Sequence, residues 1–349
     1  MTPQYSSLSG SAALAYAEAY EQALSQRRNE QRGNFDFLKK NLSGRDYWYL
    51  RFRLSGTEKS FYIGQDSPDL RAGIERQKAL WKEGLSSSIQ REKAVAMALA
   101  AGCTPTPHRA YKVLKAVEIA GYFDAGSVLI GSFACIAIGN ILNCAWPAYT
   151  TVTQDVDLAV SDKAMLILPR RQPIKDVLLD AEQGLLEVPM FDPKSPATSF
   201  KIRGGEFRVD LITPQEGKPD GGAKYVRAVD GYAQPLIFID YLLEDTVKAL
   251  LLHKDGVLVN VPSPARYALH KVVIARRRNT SQAAKARKDI QQVIPLLACL
   301  LQERPGDLWL AIDAAKDYPG PAFLQDLRVG LGKLVKEAPV LSPVHEYCL

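Results

Sequence analysis

The chain has 349 residues and a net charge of +6, and hydrophobic residues make up 47% and charged residues 23% of it. A chain of this length can bury a large core and is expected to form two or three domains, and its composition is ordinary for a soluble globular protein. The mildly basic charge permits a polyanionic partner without requiring one. No uninterrupted apolar run is long enough to cross a bilayer, so no membrane partner is expected.

The five cysteines point to a reducing compartment. They are Cys103, Cys135, Cys144, Cys299 and Cys348. Their spacing does not form a metal-binding Cys-x-x-Cys pair, and their odd number and mostly apolar surroundings predict buried, reduced thiols. The first residues also lack the basic start and apolar core of a signal peptide. A cytoplasmic location is therefore expected.

Residues 1–104 predict an N-terminal helical module with a β-hairpin. Apolar residues first recur at helical spacing, and an aromatic-rich alternating run, a turn and a second alternating run follow. The expected elements are a helix (11–31), two strands (46–54 and 60–64) and two further helices (69–83 and 86–101).

Cationic and aromatic side chains are interleaved around the first strand of this hairpin. The cations are Lys39, Lys40, Arg45, Arg51 and Arg53, beside the rings of Tyr47, Trp48, Tyr49 and Phe52. Such a pattern can bind phosphates and stack bases. It is also typical of a hairpin with one apolar face on the core and one charged face in solvent, so both interpretations stay open.

Residues 105–261 carry two neighbouring carboxylates on a strand that is otherwise apolar. Successive strand side chains point to opposite faces, so Asp155 and Asp157 share one face. Two carboxylates side by side repel, and such a pair is retained cheaply if a cation lies between them. Mg²⁺ prefers oxygen ligands of this kind. The alternative is a pair of solvated acids at an exposed strand end.

A later short strand, residues 207–212, carries Asp210 at its middle. Three carboxylates on adjacent strands could hold two metal ions, which would activate an attacking hydroxyl and stabilise a leaving pyrophosphate. The alternative for Asp210 is an ion pair with Arg208 or Arg203.

Upstream, Gly131 and Ser132 stand between a strand and a helix. A glycine there permits close backbone approach and the helix start offers N–H groups to phosphate, although a simple strand-to-helix turn would look the same.

Residues 262–349 predict a C-terminal helical domain with helices over 265–278 and 281–301 and further helices up to 338. The segment 266–288, called the basic segment below, contains no acid. Its cations are Arg266, Lys271, Arg276, Arg277, Arg278, Lys285, Arg287 and Lys288. A nucleic-acid surface and a solvated helical face both fit this pattern.

The fold class predicted for the whole chain is α+β, with a mixed sheet in the middle region.

The order of these residues resembles the nucleotidyltransferase fold of the DNA polymerase β superfamily. The match comprises Gly131 and Ser132 before a helix, then Asp155 and Asp157, then Asp210 on a later strand, and it covers roughly residues 107–300. In that superfamily the Gly-Ser pair holds the triphosphate and the three acids bind Mg²⁺ or Mn²⁺. The resemblance leans towards the bacterial AbiEii type found in toxin–antitoxin and abortive-infection systems, whose Thr-x-Asp-apolar-Asp pattern corresponds to a stretch that starts at Thr153.

That subgroup also has a helix bearing a lysine and a later basic-Asp element. Lys271 and Asp289, with Arg287 and Lys288 before it, stand in those places. The resemblance implies that Lys271 reaches the triphosphate and that Asp289 orients Lys271 or a base. A snorkelling surface lysine and a helix-surface ion pair are the alternatives.

The resemblance therefore implies an EC 2.7.7-type enzyme that transfers NMP from an NTP to a hydroxyl. The basic segment favours RNA, such as a tRNA 3′ end, as the acceptor, while a protein side chain or a small molecule stays open. An antitoxin is a further candidate partner. A non-catalytic nucleotide- or partner-binding module is the alternative from outside the enzymes.

Overall fold

The computed structural model describes residues 5–30, 35–42, 44–54, 57–147, 153–162, 172–189, 195–217 and 222–349. The helices are α1 (Gly10–Glu30), α2 (Pro68–Ala100), α3 (His108–Ile119), α4 (Gly131–Ile141), α5 (Ile174–Ala181), α6 (Ile239–Leu243), α7 (Pro264–Arg277), α8 (Ala283–Glu303), α9 (Pro305–Lys316), α10 (Pro321–Glu337) and α11 (Ser342–Cys348). The strands are β1 (Ser6–Ser7), β2 (Phe35–Leu42), β3 (Arg45–Leu54), β4 (Thr57–Gln65), β5 (Val128–Ile130), β6 (Cys144–Ala145), β7 (Asp155–Ala159), β8 (Leu185–Glu187), β9 (Ser199–Ile202), β10 (Arg208–Pro214), β11 (Lys224–Val226), β12 (Gly231–Leu236), β13 (Thr246–Leu251) and β14 (Val257–Pro262).

The architecture is α+β around a mixed sheet, as the sequence predicts. The sheet has the strand order β11-β12-β10-β7-β5. Strand β9 pairs with β10 on the same edge as β12, and β8 pairs with β9. Strand β7 pairs parallel with β10 and antiparallel with β5. The apolar residues of β7, Val156 and Leu158, are fully buried, so one face of this strand is fixed in the core.

The helices after residue 262 pack on this sheet and not away from it. One hydrophobic cluster contains residues of α3, the sheet strands and α7 to α11. Tyr241 of α6 illustrates the join, because its buried ring lies 4.5 Å from that of Phe323 and its hydroxyl donates to the Ala311 carbonyl at 2.7 Å. The middle and C-terminal regions thus share a core, and the predicted boundary at residue 262 stays a prediction.

The N-terminal helices also reach the rest of the molecule. Small residues of α1 and of the end of α2 pack on the β13–β14 ribbon. The Tyr16 hydroxyl accepts from the Leu250 N–H at 3.0 Å. Asp255, in the turn of that ribbon, accepts hydrogen bonds from Arg91 of α2 and from Tyr111 of α3. The boundary at residue 104 likewise stays a prediction.

Two local predictions differ from the structure. The predicted hairpin is a three-stranded sheet, β2-β3-β4, because the preceding residues pair with β3 from Phe35 to Leu42. The helices predicted over 69–83 and 86–101 are the single helix α2; one glycine, Gly84, costs a helix only about 1 kcal/mol and does not end it. Strand β12 ends at Leu236, and Phe238 takes a left-handed φ of 65° before α6.

All five cysteines are buried and free, as predicted. Within the described ranges, no helix combines the length and the apolar character needed to cross a membrane.

Candidate active site

Three adjacent strands bring Gly131, Asp157 and Asp210 to one level of the sheet. Asp157 of β7 is aligned with Asp210 on β10 and, across its other edge, with Ile130, the residue before Gly131. Aligned residues on neighbouring strands project to the same face. Asp155, two residues before Asp157, therefore shares that face with both carboxylates.

Gly131 lets the backbone come directly against Asp157. Its φ is +69°, and a Cβ placed on it would lie 1.9 Å from Asp157 Oδ2. Only glycine meets both conditions, because other residues are strained at this φ and would collide with the carboxylate. Helix α4 starts at this glycine, and its N-cap residue Ile130 offers no side-chain hydrogen bond. The first backbone N–H groups of α4 thus adjoin the carboxylates and form a place for an anion.

The carboxylates repel each other. Burial, together with the charges of Asp210 and Asp155, raises the pKa of Asp157 to about 7, although Lys271 and Lys285 act in the opposite direction. A carboxylate shifted in this way gains from any cation placed beside it. The acid cluster is therefore an electrostatically unsatisfied part of the molecule.

Asp210 is partly neutralised by its neighbours. Its Oδ1 accepts a hydrogen bond from Arg208 Nε at 2.6 Å and another from the Ser199 hydroxyl, which also accepts from Arg208 at 2.8 Å. Ser199 is the residue aligned with Asp210 on β9. The ion pair that the sequence left as an alternative for Asp210 is present. No group of three or more His, Cys, Asp or Glu side chains in the described ranges stands ready to hold a metal ion.

A second charge cluster faces the acids from α7 and α8. Asp289 accepts from Lys271 Nζ at 2.6 Å and from Arg278 Nε at 2.7 Å, and its side chain is only 5% exposed. Burial disfavours the charged carboxylate, but Lys271 and Arg278 outweigh this and hold the pKa of Asp289 below its usual value. Asp289 thus fixes the positions of two cations.

Two buried residues that the sequence analysis did not identify connect helices α7 and α8 to the start of α4. The Tyr267 hydroxyl donates to the Gly131 carbonyl at 2.8 Å, and Gln292 Nε2 donates to the Ser132 hydroxyl at 3.3 Å. Tyr267 lies four residues before Lys271, one turn earlier on the same face of α7, and the Lys271 ammonium lies 5.5 Å from its ring centre. That spacing was visible in the sequence and could have identified Tyr267.

Between these groups lies a pocket of about 530 Å³. Asp157, Asp210 and Gly131 lie on its acidic side. The cations that line it are Arg208, Lys271, Arg277, Arg278 and Lys285. Apolar side chains form a third part of the wall, among them Leu236, Ile237, Ile239, Leu242 and Ile274. The pocket therefore combines carboxylates, cations and an apolar surface.

A family model described as a nucleotidyltransferase matches residues 108–316, more than half of the chain. The chain belongs to this nucleotidyltransferase family. The matched span begins at the first residue of α3 and ends at the last residue of α9, so it contains the whole pocket. No curated protein and no solved structure matches the chain.

The remaining predicted site residues of this nucleotidyltransferase lie around the pocket and not on its wall. Asp155 is half-buried, and its N–H donates to the Thr153 hydroxyl at 3.3 Å. Ser132 follows Gly131 in α4, and Asp289 accepts a hydrogen bond from Lys271. Lys288 is half-buried near Asp155, and burial together with the charge of Lys271 lowers its pKa.

The basic segment is largely paired inside the molecule. Arg276 and Arg277 both contact Asp326 of α10, at 2.9 and 2.5 Å, and Arg278 contacts Asp289. Lys285 and Arg287 are exposed, and only Lys285 of these two lines the pocket. The absence of acids from the segment itself is thus compensated by acids that lie outside it.

Proposed function

We propose that this nucleotidyltransferase is divalent-metal-dependent and transfers NMP from an NTP to a hydroxyl of RNA, with release of pyrophosphate. The observation that carries the proposal is the convergence of Asp157, Asp210, Gly131 and Lys271 on one pocket. The resemblance to the DNA polymerase β superfamily, and within it to the AbiEii type, is part of the same proposal.

The acid cluster fits a hard cation such as Mg²⁺ or Mn²⁺. Asp155, Asp157 and Asp210 offer carboxylate oxygens from one face of the sheet, and the missing side chain of Gly131 accommodates Asp157 Oδ2. Asp210 would exchange its contact with Arg208 for the ion. When bound, the ion supplies Lewis-acid stabilisation of phosphate charge and a more acidic acceptor hydroxyl.

The chain's own groups would hold and orient the triphosphate. The N–H groups at the start of α4, with Ser132 beside them, face a position next to the carboxylates. Lys271, held by Asp289, adds a positive charge on the opposite side. Such fixed charges stabilise a phosphoryl-transfer transition state without reorganising during the reaction.

The rest of the pocket suits a nucleoside. Leu236, Ile237 and Ile274 give a base an apolar wall, and Lys285 extends the positive charge towards solvent, where an RNA backbone would run. A protein side chain or a small hydroxylated molecule as acceptor would leave the same chemistry in place.

The experiment is incubation of the purified chain with Mg²⁺, each of the four α-³²P-labelled NTPs and total cellular RNA. Label in an RNA band supports the proposal and names the nucleotide, whereas label on protein would replace RNA by a protein acceptor. Asp157→Asn should reduce labelling by about 10³-fold, because it removes several kcal/mol of charge stabilisation.

The matched control is Asp180→Asn on α5, an exposed acid whose contact is Gln172. It should label RNA like the wild type. Equal labelling by Asp157→Asn and the wild type would refute the site assignment. Absence of label in every arm, with unchanged melting on addition of NTP and Mg²⁺, would favour a non-catalytic binding module.

A further inference from the structure

The three-stranded sheet β2-β3-β4 has two different faces. One is turned to helix α2. On that face Trp48 donates to Asp66 at 2.8 Å, just before α2 starts, and Lys78 of α2 lies 6.0 Å from the Trp48 ring centre. Gly64, aligned with Trp48, would bring a Cβ within 3.3 Å of Leu70 of the same helix. This face has its packing partner.

The opposite face carries three tyrosines in a group. Tyr47 and Tyr49 alternate with Trp48 on β3, and Tyr62 of β4 lies against both. The ring centres of Tyr62 and Tyr47 are 6.0 Å apart, and those of Tyr62 and Tyr49 are 5.7 Å apart. Tyr62 is 59% exposed. Tyr47 and Tyr49 are half-buried, so the cluster is partly exposed, and an exposed apolar patch can mark an interaction site.

Cations surround these rings. Lys40 of β2 lies 5.0 Å from the ring centre of Tyr49, and Arg45 and Arg51 project from β3 to the same face. Lys40 and Arg45 are exposed, while Arg51 contacts Asp36. Residues 35–65 contain six Lys and Arg against three Asp and Glu, so this short stretch carries +3 of the chain's net charge of +6. We call Lys40, Arg45, Tyr47, Tyr49, Arg51 and Tyr62 the tyrosine face.

We propose that the tyrosine face is a binding site for single-stranded RNA. Exposed rings stack on unpaired bases, which a duplex does not offer, and the neighbouring cations complement the phosphates. The Tyr62 hydroxyl can form a hydrogen bond with a 2′-hydroxyl, the group that distinguishes RNA from DNA.

The choice of RNA rests on the proposed function, but binding does not require transfer. The tyrosine face lies outside residues 108–316, the span of the family match, so it is not part of the region that the family shares. The effect of face variants on RNA binding without NTP therefore tests the tyrosine face independently of transfer. RNA binding without transfer would leave this proposal standing while the transferase proposal fails, and transfer without any effect of the face would do the reverse.

The test is fluorescence anisotropy of the full chain with a labelled single-stranded RNA of about twenty uridines, titrated at several salt concentrations. Tyr62→Ala should weaken binding by about tenfold, because it removes a stacking ring, and should leave the salt dependence unchanged. Lys40→Gln should lower the slope of log affinity against log salt by about 0.7, because one phosphate contact is lost.

The matched controls are Tyr347→Ala and Lys316→Gln in the C-terminal helices. Tyr347 is 40% exposed, and Lys316 lies 4.6 Å from its ring centre, so this pair reproduces the Lys40–Tyr49 contact away from the sheet. Both controls should bind RNA like the wild type. Equal losses in the controls and the face variants, or no losses at all, would overturn the proposal. So would duplex RNA or single-stranded DNA binding as tightly as single-stranded RNA.

Discussion

The two sides of the pocket differ in how the charges of their buried carboxylates are balanced. On the sheet side, Asp157 stands beside Asp155 and Asp210, and burial with their repulsion raises its pKa to about 7. On the helix side, Asp289 is buried between Lys271 and Arg278, and those cations hold its pKa below the usual value. The carboxylate on the helix side has its counter-ions within the chain, whereas the carboxylates on the sheet side repel each other. In the proposed function, the cationic groups would be fixed before substrate arrives and the acids would be left for a metal ion.

After Asp157→Asn, the largest effect on the sheet side should come from Gly131→Ala. The new methyl group would displace the Asp157 carboxylate, which a Cβ would approach to 1.9 Å, and a displacement of about 1 Å can lower a reaction rate by roughly 10²-fold. The measurement is the initial rate of RNA labelling. Helical content and the urea midpoint should show a folded protein.

Gly204→Ala is the matched control for this substitution. Its φ of +70° imposes the same backbone strain, and a Cβ there would have nothing within 4 Å. Each variant should lose about 1 kcal/mol of stability, since alanine is strained at such a φ. Equal rates in the two variants would show that the contact with Asp157 has no role in transfer.

On the helix side, Asp289→Ala should lower the free energy of unfolding by about 3 kcal/mol, because it leaves Lys271 and Arg278 without their buried partner. The control is Asp326→Ala, which also removes an acid that holds two arginines. Those arginines, Arg276 and Arg277, are 36% and 37% exposed, so the loss should be about 1 kcal/mol or less. Urea unfolding of the two variants checks the order, and a larger loss for Asp326→Ala would contradict the comparison.

The sheet side was the easier one to predict from sequence. A strand's period of two placed Asp155 and Asp157 on one face, and Gly131 at the strand-to-helix turn followed from local composition. The sequence also suggested that Asp157 and Asp210 lie on adjacent strands, but their direct alignment is seen only in the structure. The contact of Arg208 with Asp210 was present among the alternatives, because the two residues are close neighbours on β10.

The helix side depends on contacts that no local pattern carries. Arg276 and Arg277 both contact Asp326, which lies about fifty positions later in the chain. A segment that contains no acid can therefore still lie beside acids in the folded protein. Gln292 and Tyr267 are buried polar residues whose partners lie on α4, and only the tertiary packing makes them meet. For the same reason strand β2 was missed, since its pairing with β3 and not its own pattern defines it.

A pH-dependent effect should come from His270, which lines the pocket beside Lys271. Burial, with a contribution from Lys271, lowers its pKa to about 3, whereas an unfolded histidine titrates near 6.5. Between these values the unfolded chain binds one more proton than the folded chain does. Stability should therefore fall as pH falls below about 6.5, by up to about 1.4 kcal/mol per pH unit from this residue, and should not change through this residue above pH 7.

His270→Leu removes the group while keeping the position apolar. Urea midpoints of the wild type and this variant between pH 7.5 and 4.5 should diverge as the pH falls, with the wild type losing more stability. Parallel curves over that range would show that another group governs the acid side of the profile.

The smallest expected difference separates two cations of the basic segment. Lys285 is exposed and lines the pocket, so Lys285→Gln should weaken ATP binding by about fivefold, the equivalent of roughly 1 kcal/mol for a solvent-screened charge. Arg276 is held by Asp326 and does not line the pocket, so Arg276→Gln should leave the Kd unchanged within about twofold. Calorimetric titration with ATP and Mg²⁺ at low and high salt measures both, and the effect of Lys285→Gln should shrink as salt screens the charge. If Arg276→Gln weakened ATP binding as much as Lys285→Gln does, position along the basic segment, and not pairing inside the fold, would decide which cations serve the ligand.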